Sequence, residues 1–338
     1  MADLPLLSIR LHGGLAPHRC VELARAAEES NFSSVWFAEN PFARGVLPAA
    51  TACAVATKTL GIGIGVFNPH NRHPTLIAME IGALDELAQG RARLGIGSGI
   101  ASAVERMGLN PESPIGAVRD ALTIVRGLLR GEEVDYTGRV FSVHKVKLDY
   151  APPRRDLPLL VAGRGDRAIA LAGELADGLM ISNLCPPDFT AHAAEVLRAA
   201  AERVQRPSLP AVVQYVPCAA RADRAAAYRL AKDSLGEALP GFWSLGERVP
   251  AAKAALLRAS DLSEDDFAAA VKRLRAGEPP YDALDDRFIA AFAIAGTAED
   301  CLAQAALYAK AGVTELVLTF SGDQPERDMA YLGALASS

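Results

Sequence analysis

The 338-residue sequence has no uninterrupted apolar run of the roughly 18 residues that a membrane-spanning helix requires. Its most apolar stretch, residues 49–67, is broken by Lys58 and by three glycines. It has no basic excess. Lys and Arg number 35 against 40 Asp and Glu, the formal net charge is −5, and no basic stripe is visible, which argues against nucleic acid as a partner. It has no CxxC pair. The five cysteines, Cys20, Cys53, Cys185, Cys218 and Cys301, are odd in number and widely spaced. That excludes a disulfide framework and fits reduced cysteines in the cytoplasm. The opening Met1-Ala2-Asp3-Leu4-Pro5 lacks the basic and apolar regions of a secretion signal. Global disorder is excluded as well, because half of the residues are hydrophobic and only 22% are charged.

What the chain does have is alternation. Short apolar runs predict strands over 6–11, 35–38, 60–66, 92–97, 159–162, 178–182, 211–217 and 315–320. Amphipathic stretches between them predict helices over 17–30, 48–57, 74–88, 114–130, 166–175, 187–204 and 297–311, with a last one near 326–335. In the first helix Val21, Leu23, Ala24 and Ala27 share a face, opposite Arg19, Glu22, Arg25 and Glu29. Pro74 suits a first helical turn, and Thr297 with Asp300 three residues on is close to a capping box. Residues 132–148, with a turn at Thr137-Gly138-Arg139, read as an inserted hairpin. Residues 222–295 read as a helical insertion longer than one crossover needs.

Eight strand–helix units without a linker predict one α/β domain over residues 1–338, a (β/α)8 TIM barrel with insertions after strands four and seven. The rival is a doubly wound sheet with a helical second domain. Against it, Gly95-x-Gly97-x-Gly99 lacks dinucleotide spacing, lies at the fourth strand and does not open directly into a helix.

In such a barrel the chemistry lies at the C-terminal strand ends and the loops after them. Those ends are His12-Gly13-Gly14, Glu39-Asn40, Val66-Phe67-Asn68-Pro69, Ser98-Gly99-Ile100, Gly163-Arg164-Gly165, Ser182-Asn183, Cys218 and Phe320-Ser321-Gly322. They hold no His/Asp/Glu/Cys cluster with metal spacing, so no metal is expected, and no facing carboxylate pair of the glycosidase kind. They are rich in glycine, which either lets a flat ligand or a phosphate come close or simply serves tight turns.

Several segments together resemble a known family. They are Trp36, Asn68-Pro69-x-x-Arg72-His73-Pro74, Leu84-Asp85-Glu86-Leu87-x-x-Gly90-Arg91-Ala92 and Leu94-Gly95-Ile96-Gly97-x-Gly99. Leu171-Ala172-Gly173-Glu174-x-Ala176-Asp177-Gly178 and Gly312-Val313-Thr314-Glu315-Leu316-Val317-Leu318 complete the set. In this order, over 5–205 and 290–320, they are similar to the luciferase-like barrels, and within them to the methylenetetrahydromethanopterin reductase branch that uses the deazaflavin coenzyme F420. The resemblance implies a non-prolyl cis peptide at Gly65–Val66, in a bulge behind the cofactor ring. It implies a cofactor phosphate on Ala162, Gly163, Arg164 and Gly165, where free helix-start N–H groups attract an anion. Alternatively, Arg164 is a solvated loop arginine. Gly97, Ser98 and Gly99 belong to the same cofactor cradle. Asn68 is a candidate for the ring edge and Ser182 with Asn183 for the cofactor tail.

Three polar positions depart from the branch. An acidic residue of strand one is Arg10 here, a His after strand two is Asn40, and an acid after the Gly-x-Gly of strand four is Ile100. The cradle is kept and the substrate face rewritten. For proton handling the candidates are His12, as a general acid or a hydrogen-bonded rim residue, and Glu39, polarising substrate, orienting Asn40 or simply structural. Arg72 and His73 read as structural ties at a helix start. Cys185 lies near Ser182 and Asn183 but has no paired His, so nothing marks it as a nucleophile. Arg10 and His12 alternate onto one face, so both should point inward or neither.

The expectation is a cytoplasmic, homodimeric F420-dependent oxidoreductase. It would move a hydride between the deazaflavin and a small organic substrate other than methylenetetrahydromethanopterin, under cover of the 222–295 insertion. One alternative is an FMN-dependent luciferase-like monooxygenase, which needs oxygen at the ring, where a deazaflavin does not form the usual oxygen adduct. Another is a non-catalytic barrel that binds flavin or deazaflavin.

Overall fold

The computed structural model describes residues 4–258 and 260–336. Met1–Asp3, part of the segment considered above for a secretion signal, lie outside the described residues. Eight parallel strands close into a barrel: β1 (Leu6–His12), β2 (Ser34–Ala38), β3 (Gly61–Phe67), β4 (Ala92–Ile96), β5 (Leu159–Ala162), β6 (Gly178–Ile181), β7 (Ala211–Ala220) and β8 (Glu315–Phe320). Each pairs with the next, β6 pairs with β7, and β8 returns to β1, so no edge is left open. This is the (β/α)8 barrel that the alternation of elements predicts.

The helices wrap the barrel because each carries one apolar stripe. Helix Pro114–Leu129 buries Val118, Ala121, Leu122, Val125 and Leu129. Prolines open helices Pro17–Glu29, Pro74–Leu87, Pro114–Leu129 and Pro187–Arg203, and Thr297 with Asp300 forms a full capping box on helix Ala298–Lys310. No described helix is long and apolar enough to cross a membrane. One apolar cluster lies between strands and helices; a second, inside the barrel, contains Trp36, Leu160, Met180, Val213, Tyr215 and Val317. Trp36 occupies the space above Gly63, where a Cβ would come within 2.2 Å of its ring.

The hairpin pairs Val134–Thr137 with Ser142–Val146. Between β7 and Ala298 lie helices Arg224–Arg248, Pro250–Leu257, Glu264–Arg275, Pro280–Ala283 and Asp286–Phe292, packed around Trp243, Phe267, Phe288 and Phe292. Two elements were not expected. Ile294–Gly296 is a short strand that pairs with Cys218–Ala220, which is why β7 runs three residues past the predicted end. Ala101–Arg106 is a six-residue helix just after the β4 glycines. Both are too short to show a period.

Candidate active site

The strand ends of β1 to β7 surround a cavity of about 460 Å³ at the mouth of the barrel. Gly65, Val66, Asn68, Gly97, Ser98, Gly99, Ala162, Gly163, Ser182 and Asn183 line it, with Glu39, Asn40 and Ile100 on one side. Its size suits a ligand of cofactor dimensions. A second cavity of about 570 Å³ shares Ser98, Ala162 and Gly163 with the first and runs over Arg164, Gly165, Asp166 and Arg167 to His192 and Arg258. The structure therefore brings the expected cradle residues together around two adjoining spaces.

The β3 end is irregular. The Gly65–Val66 peptide is cis, and the register with β4 shifts between Gly65 and Phe67. Tyr215 Oη donates to the Gly65 carbonyl at 3.0 Å. A Cβ at Gly65 would meet that Oη at 2.1 Å, and one at Gly163 would meet Ala168 Cβ at 2.4 Å. These two glycines thus admit neighbouring side chains. At Gly99, φ is +68°, and a Cβ would meet Asn68 Nδ2 at 2.4 Å. Asn68 Oδ1 accepts from the His70 N–H at 3.0 Å, which fixes its amide beside the cavity.

Arg164 is held rather than loose. Its Nε donates to Ser182 Oγ at 2.8 Å, Nη2 donates to the Asn183 carbonyl, and the guanidinium lies 4.5 Å over the Phe242 ring. Nη1 is buried without a partner, as is Asn183 Oδ1. Helix Asp166–Leu175 starts at Gly165 with no side-chain cap, and a Cβ at Gly165 would meet nothing within 4 Å. A fixed cation with a spare N–H beside uncapped helix-start N–H groups and open space fits a phosphate.

Glu39 is paired with Arg72 at 2.9 Å; Arg72 also reaches Glu80 at 2.8 Å and lies 4.1 Å over the Phe67 ring. Burial, with Glu39 nearby and only partly offset by Arg72, pushes the Glu80 carboxyl up. His73 caps helix Pro74–Leu87 by accepting from the Thr75 N–H at 3.3 Å. Asn40 is exposed at the cavity rim. Among the described residues no group of three or more His, Cys, Asp or Glu could hold a metal ion. The five cysteines are free and buried; burial pushes the Cys185 thiol up, and Arg164 partly opposes this.

His12 is placed apart from the mouth. Its Nδ1 accepts from the Gly14 N–H at 3.1 Å, and it lines a smaller cavity of about 310 Å³ between β1, β8 and the neighbouring helices. Burial, and then the charge of Arg10, hold its pKa below the usual histidine value. Arg10 lines both this cavity and the mouth. Along β1 Arg10 pairs with Trp36 and His12 with Ala38, so the two share a side of the strand and both line the smaller cavity, but only Arg10 also reaches the mouth. The strand-end reading also missed Tyr215, Met180 and Phe242, which all line the mouth. Alternation along β7 from Val213 points Tyr215 inward; nothing in the sequence marks Phe242.

Residues 5–315 match the family model described as luciferase-like monooxygenase. The 5,10-methylenetetrahydromethanopterin reductase of Archaeoglobus fulgidus is 30% identical over 299 residues, covering 87% of this chain and 86% of its own. The solved structure of the coenzyme F420 dependent tetrahydromethanopterin reductase from Methanopyrus kandleri superposes with a TM-score of 0.85 at 23% identity, covering 98% of both chains. The oxygenating constituent of 3,6-diketocamphane monooxygenase from Pseudomonas putida, a type II Baeyer-Villiger monooxygenase in complex with FMN, gives a TM-score of 0.73 at 17% identity. It covers 98% of this chain and 97% of its own.

Proposed function

This chain belongs to the luciferase-like monooxygenase family, and from that premise we propose that it is an oxidoreductase that uses coenzyme F420, with FMN as the alternative cofactor. The observation that carries the reading is the pair of adjoining cavities, one glycine-rich at the barrel mouth and one ending at an uncapped helix start beside the unpartnered Arg164 Nη1. Ala162, Gly163, Arg164 and Gly165 would hold the phosphate. Gly65, Val66, Gly97, Ser98 and Gly99 would flank the ring, Asn68 would meet its edge, and Ser182 and Asn183 would contact the tail. Bound there, the deazaflavin supplies or accepts a hydride. The residues of the chain position the two reactants, exclude water and place charge beside the reacting atoms.

The substrate is a small organic molecule other than methylenetetrahydromethanopterin. Arg10, Asn40 and Ile100 stand where the resemblance expects two acids and a histidine, so the groups that would assist an iminium substrate at those three positions are absent. Glu39, tied to Arg72, polarises substrate at the rim or orients Asn40; His12, away from the mouth, acts on the fold of the β1 turn. Helices 224–257 cover the site, since Phe242 lines one cavity and Ala254, Ala255 and Arg258 line the other.

Separate titrations with F420, FMN and their reduced forms test this, followed by loss of reduced cofactor with a panel of ketones, enones and imines. F420 binding with substrate-dependent turnover supports the reading. Oxygen uptake with reduced FMN and no F420 binding gives the monooxygenase; binding without any turnover gives the non-catalytic barrel.

The protein acts in the cytoplasm, in keeping with five unpaired cysteines, and as a homodimer. Helix Val46–Ala56 carries no charged side chain and exposes Val55, and the neighbouring helix Pro74–Leu87 exposes Leu76 and Met79. A second copy covering these two helices removes an apolar patch from water. Val55→Arg with Met79→Arg should turn a dimer into a monomer in light scattering; a wild type that is already monomeric at micromolar concentration rejects the dimer.

A further inference from the structure

We propose that Arg10 selects the charge of the substrate, so that the molecule accepted at the barrel mouth is a small organic acid whose carboxylate pairs with the Arg10 guanidinium. This rests on the mouth being the redox site and adds the class of substrate. Arg10 faces the barrel interior. Its neighbour on β2 is Trp36, which lies inside, and Ser8, two residues earlier, bonds to Glu315 inside. Its guanidinium lies 5.2 Å over the Tyr215 ring, and Tyr215 in turn holds the Gly65 carbonyl. The charge is thus one side chain away from the β3 bulge.

Among the described residues no carboxylate pairs with Arg10, and its buried Nε has no hydrogen-bond partner. Arg93 has Glu315, Arg72 has Glu39 and Glu80, and Arg164, though bonded to Ser182 and Asn183, keeps its free Nη1 for the proposed phosphate. Glu39 is the one carboxylate lining the cavity among the described residues, and Arg72 already neutralises it. Burial lowers the Arg10 pKa, Tyr215 opposes the shift, and no carboxylate does. Arg10 is half-buried, and a partly desolvated cation without a counter-ion is a costly arrangement that an anionic ligand relieves. The mouth must also hold a cofactor ring in about 460 Å³, which keeps the acid small.

The test uses protein saturated with F420, or with FMN if only that binds. It is titrated with butanoate, crotonate and 2-oxobutanoate and with the three matching amides, following the cofactor absorbance. At least one acid should bind about tenfold or more tighter than its amide, as expected for hydrogen bonds to a charged group. Arg10→Met should bring acid and amide level while leaving cofactor affinity nearly unchanged. Arg10→Lys should keep part of the preference. No acid binding, equal binding of acids and amides by the wild type, or a preference that survives Arg10→Met overturns the proposal. If neither cofactor binds, the redox reading fails, and the same six compounds are titrated by calorimetry into the cofactor-free protein. Acid binding abolished by Arg10→Met then still supports charge selection, and its absence overturns it.

Discussion

At the base of the barrel Glu315 is 2% exposed and fully answered. It accepts hydrogen bonds from Ser8 Oγ and Ser34 Oγ, each at 2.6 Å, from Trp36 Nε1 at 2.9 Å, and from Arg93 Nη1 and Nη2 at 2.6 and 3.0 Å. At the mouth Arg10 Nε, Arg164 Nη1 and Asn183 Oδ1 are buried and unanswered. Both ends are built from arginine and small polar residues, so residue type does not separate them. What separates them is satisfaction. A buried polar atom without a partner costs about 1–3 kcal/mol, so the base is completed by the chain and the mouth by what binds there. Removing a polar or charged group at the base should therefore alter stability first, and removing one at the mouth should alter binding first.

The largest effect is expected at the base. Glu315→Gln leaves the Arg93 guanidinium without its counter-charge. Because Arg93 keeps some contact with solvent, the loss should fall near the lower end of the range for breaking a buried pair, about 3 kcal/mol in urea unfolding. Burial pushes the Glu315 carboxyl up, but the Arg93 charge and the hydrogen bonds from Arg93, Ser34 and Ser8 outweigh it and hold it below the usual carboxylate range. A depressed carboxylate contributes stability above its unfolded value of about 4.3 and loses it as pH falls through the lower folded value. The gap between wild type and Glu315→Gln should thus be full at neutral pH and shrink in acid. A gap independent of pH would remove the charge from the account.

Gly65→Ala should cost about 1–3 kcal/mol by overpacking, since the new Cβ meets Tyr215 Oη at 2.1 Å and Met180 Sδ at 2.8 Å. Adding Tyr215→Phe should recover part of that loss. No recovery would mean that Met180, not Tyr215, sets the limit.

Arg164→Glu sharpens the comparison from the other side. It puts a negative charge beside the proposed phosphate and should weaken cofactor binding at least tenfold, about 1.4 kcal/mol, with melting less affected than by Glu315→Gln. Arg164→Met should lie between the two. Unchanged affinity in the charge-reversed variant would place the phosphate elsewhere.

The sequence carried the fold because each level repeats one message: strands buried on both faces read as short apolar runs, and prolines and capping residues mark the helix starts between them. It carried the location of the cradle, since strand ends follow from strands. It did not carry satisfaction. Arg10, Arg93 and Arg164 are the same letter in the sequence; only the packed structure shows that Arg93 is paired and that Arg10 is not. Phe242 comes from an insertion whose helices have no periodic link to the barrel, so its place over Arg164 was hidden. Tyr215 was accessible from the alternation of β7, and was missed because the reading stopped at strand ends.

The smallest effect is expected at His12, which lies at the rim yet outside the mouth cavity. Its ring serves the β1 turn by accepting the Gly14 N–H, a role an asparagine oxygen can take over. His12→Asn should leave kcat/KM within about twofold and cost no more than one ordinary hydrogen bond, about 1 kcal/mol, at pH 8. The pH dependence carries the sign. Burial and Arg10 lower the folded-state pKa of His12, so the unfolded chain binds the proton more readily. Stability of the wild type therefore falls relative to His12→Asn as pH drops below the unfolded value of about 6.5, and the loss levels off below the folded value. If Arg10 is also changed to Met, that pH-dependent difference should narrow, because one of its two causes is gone. A large fall in kcat for His12→Asn, with an alkaline limb lost from the rate profile, would instead return His12 to the chemistry and move the boundary between rim and mouth.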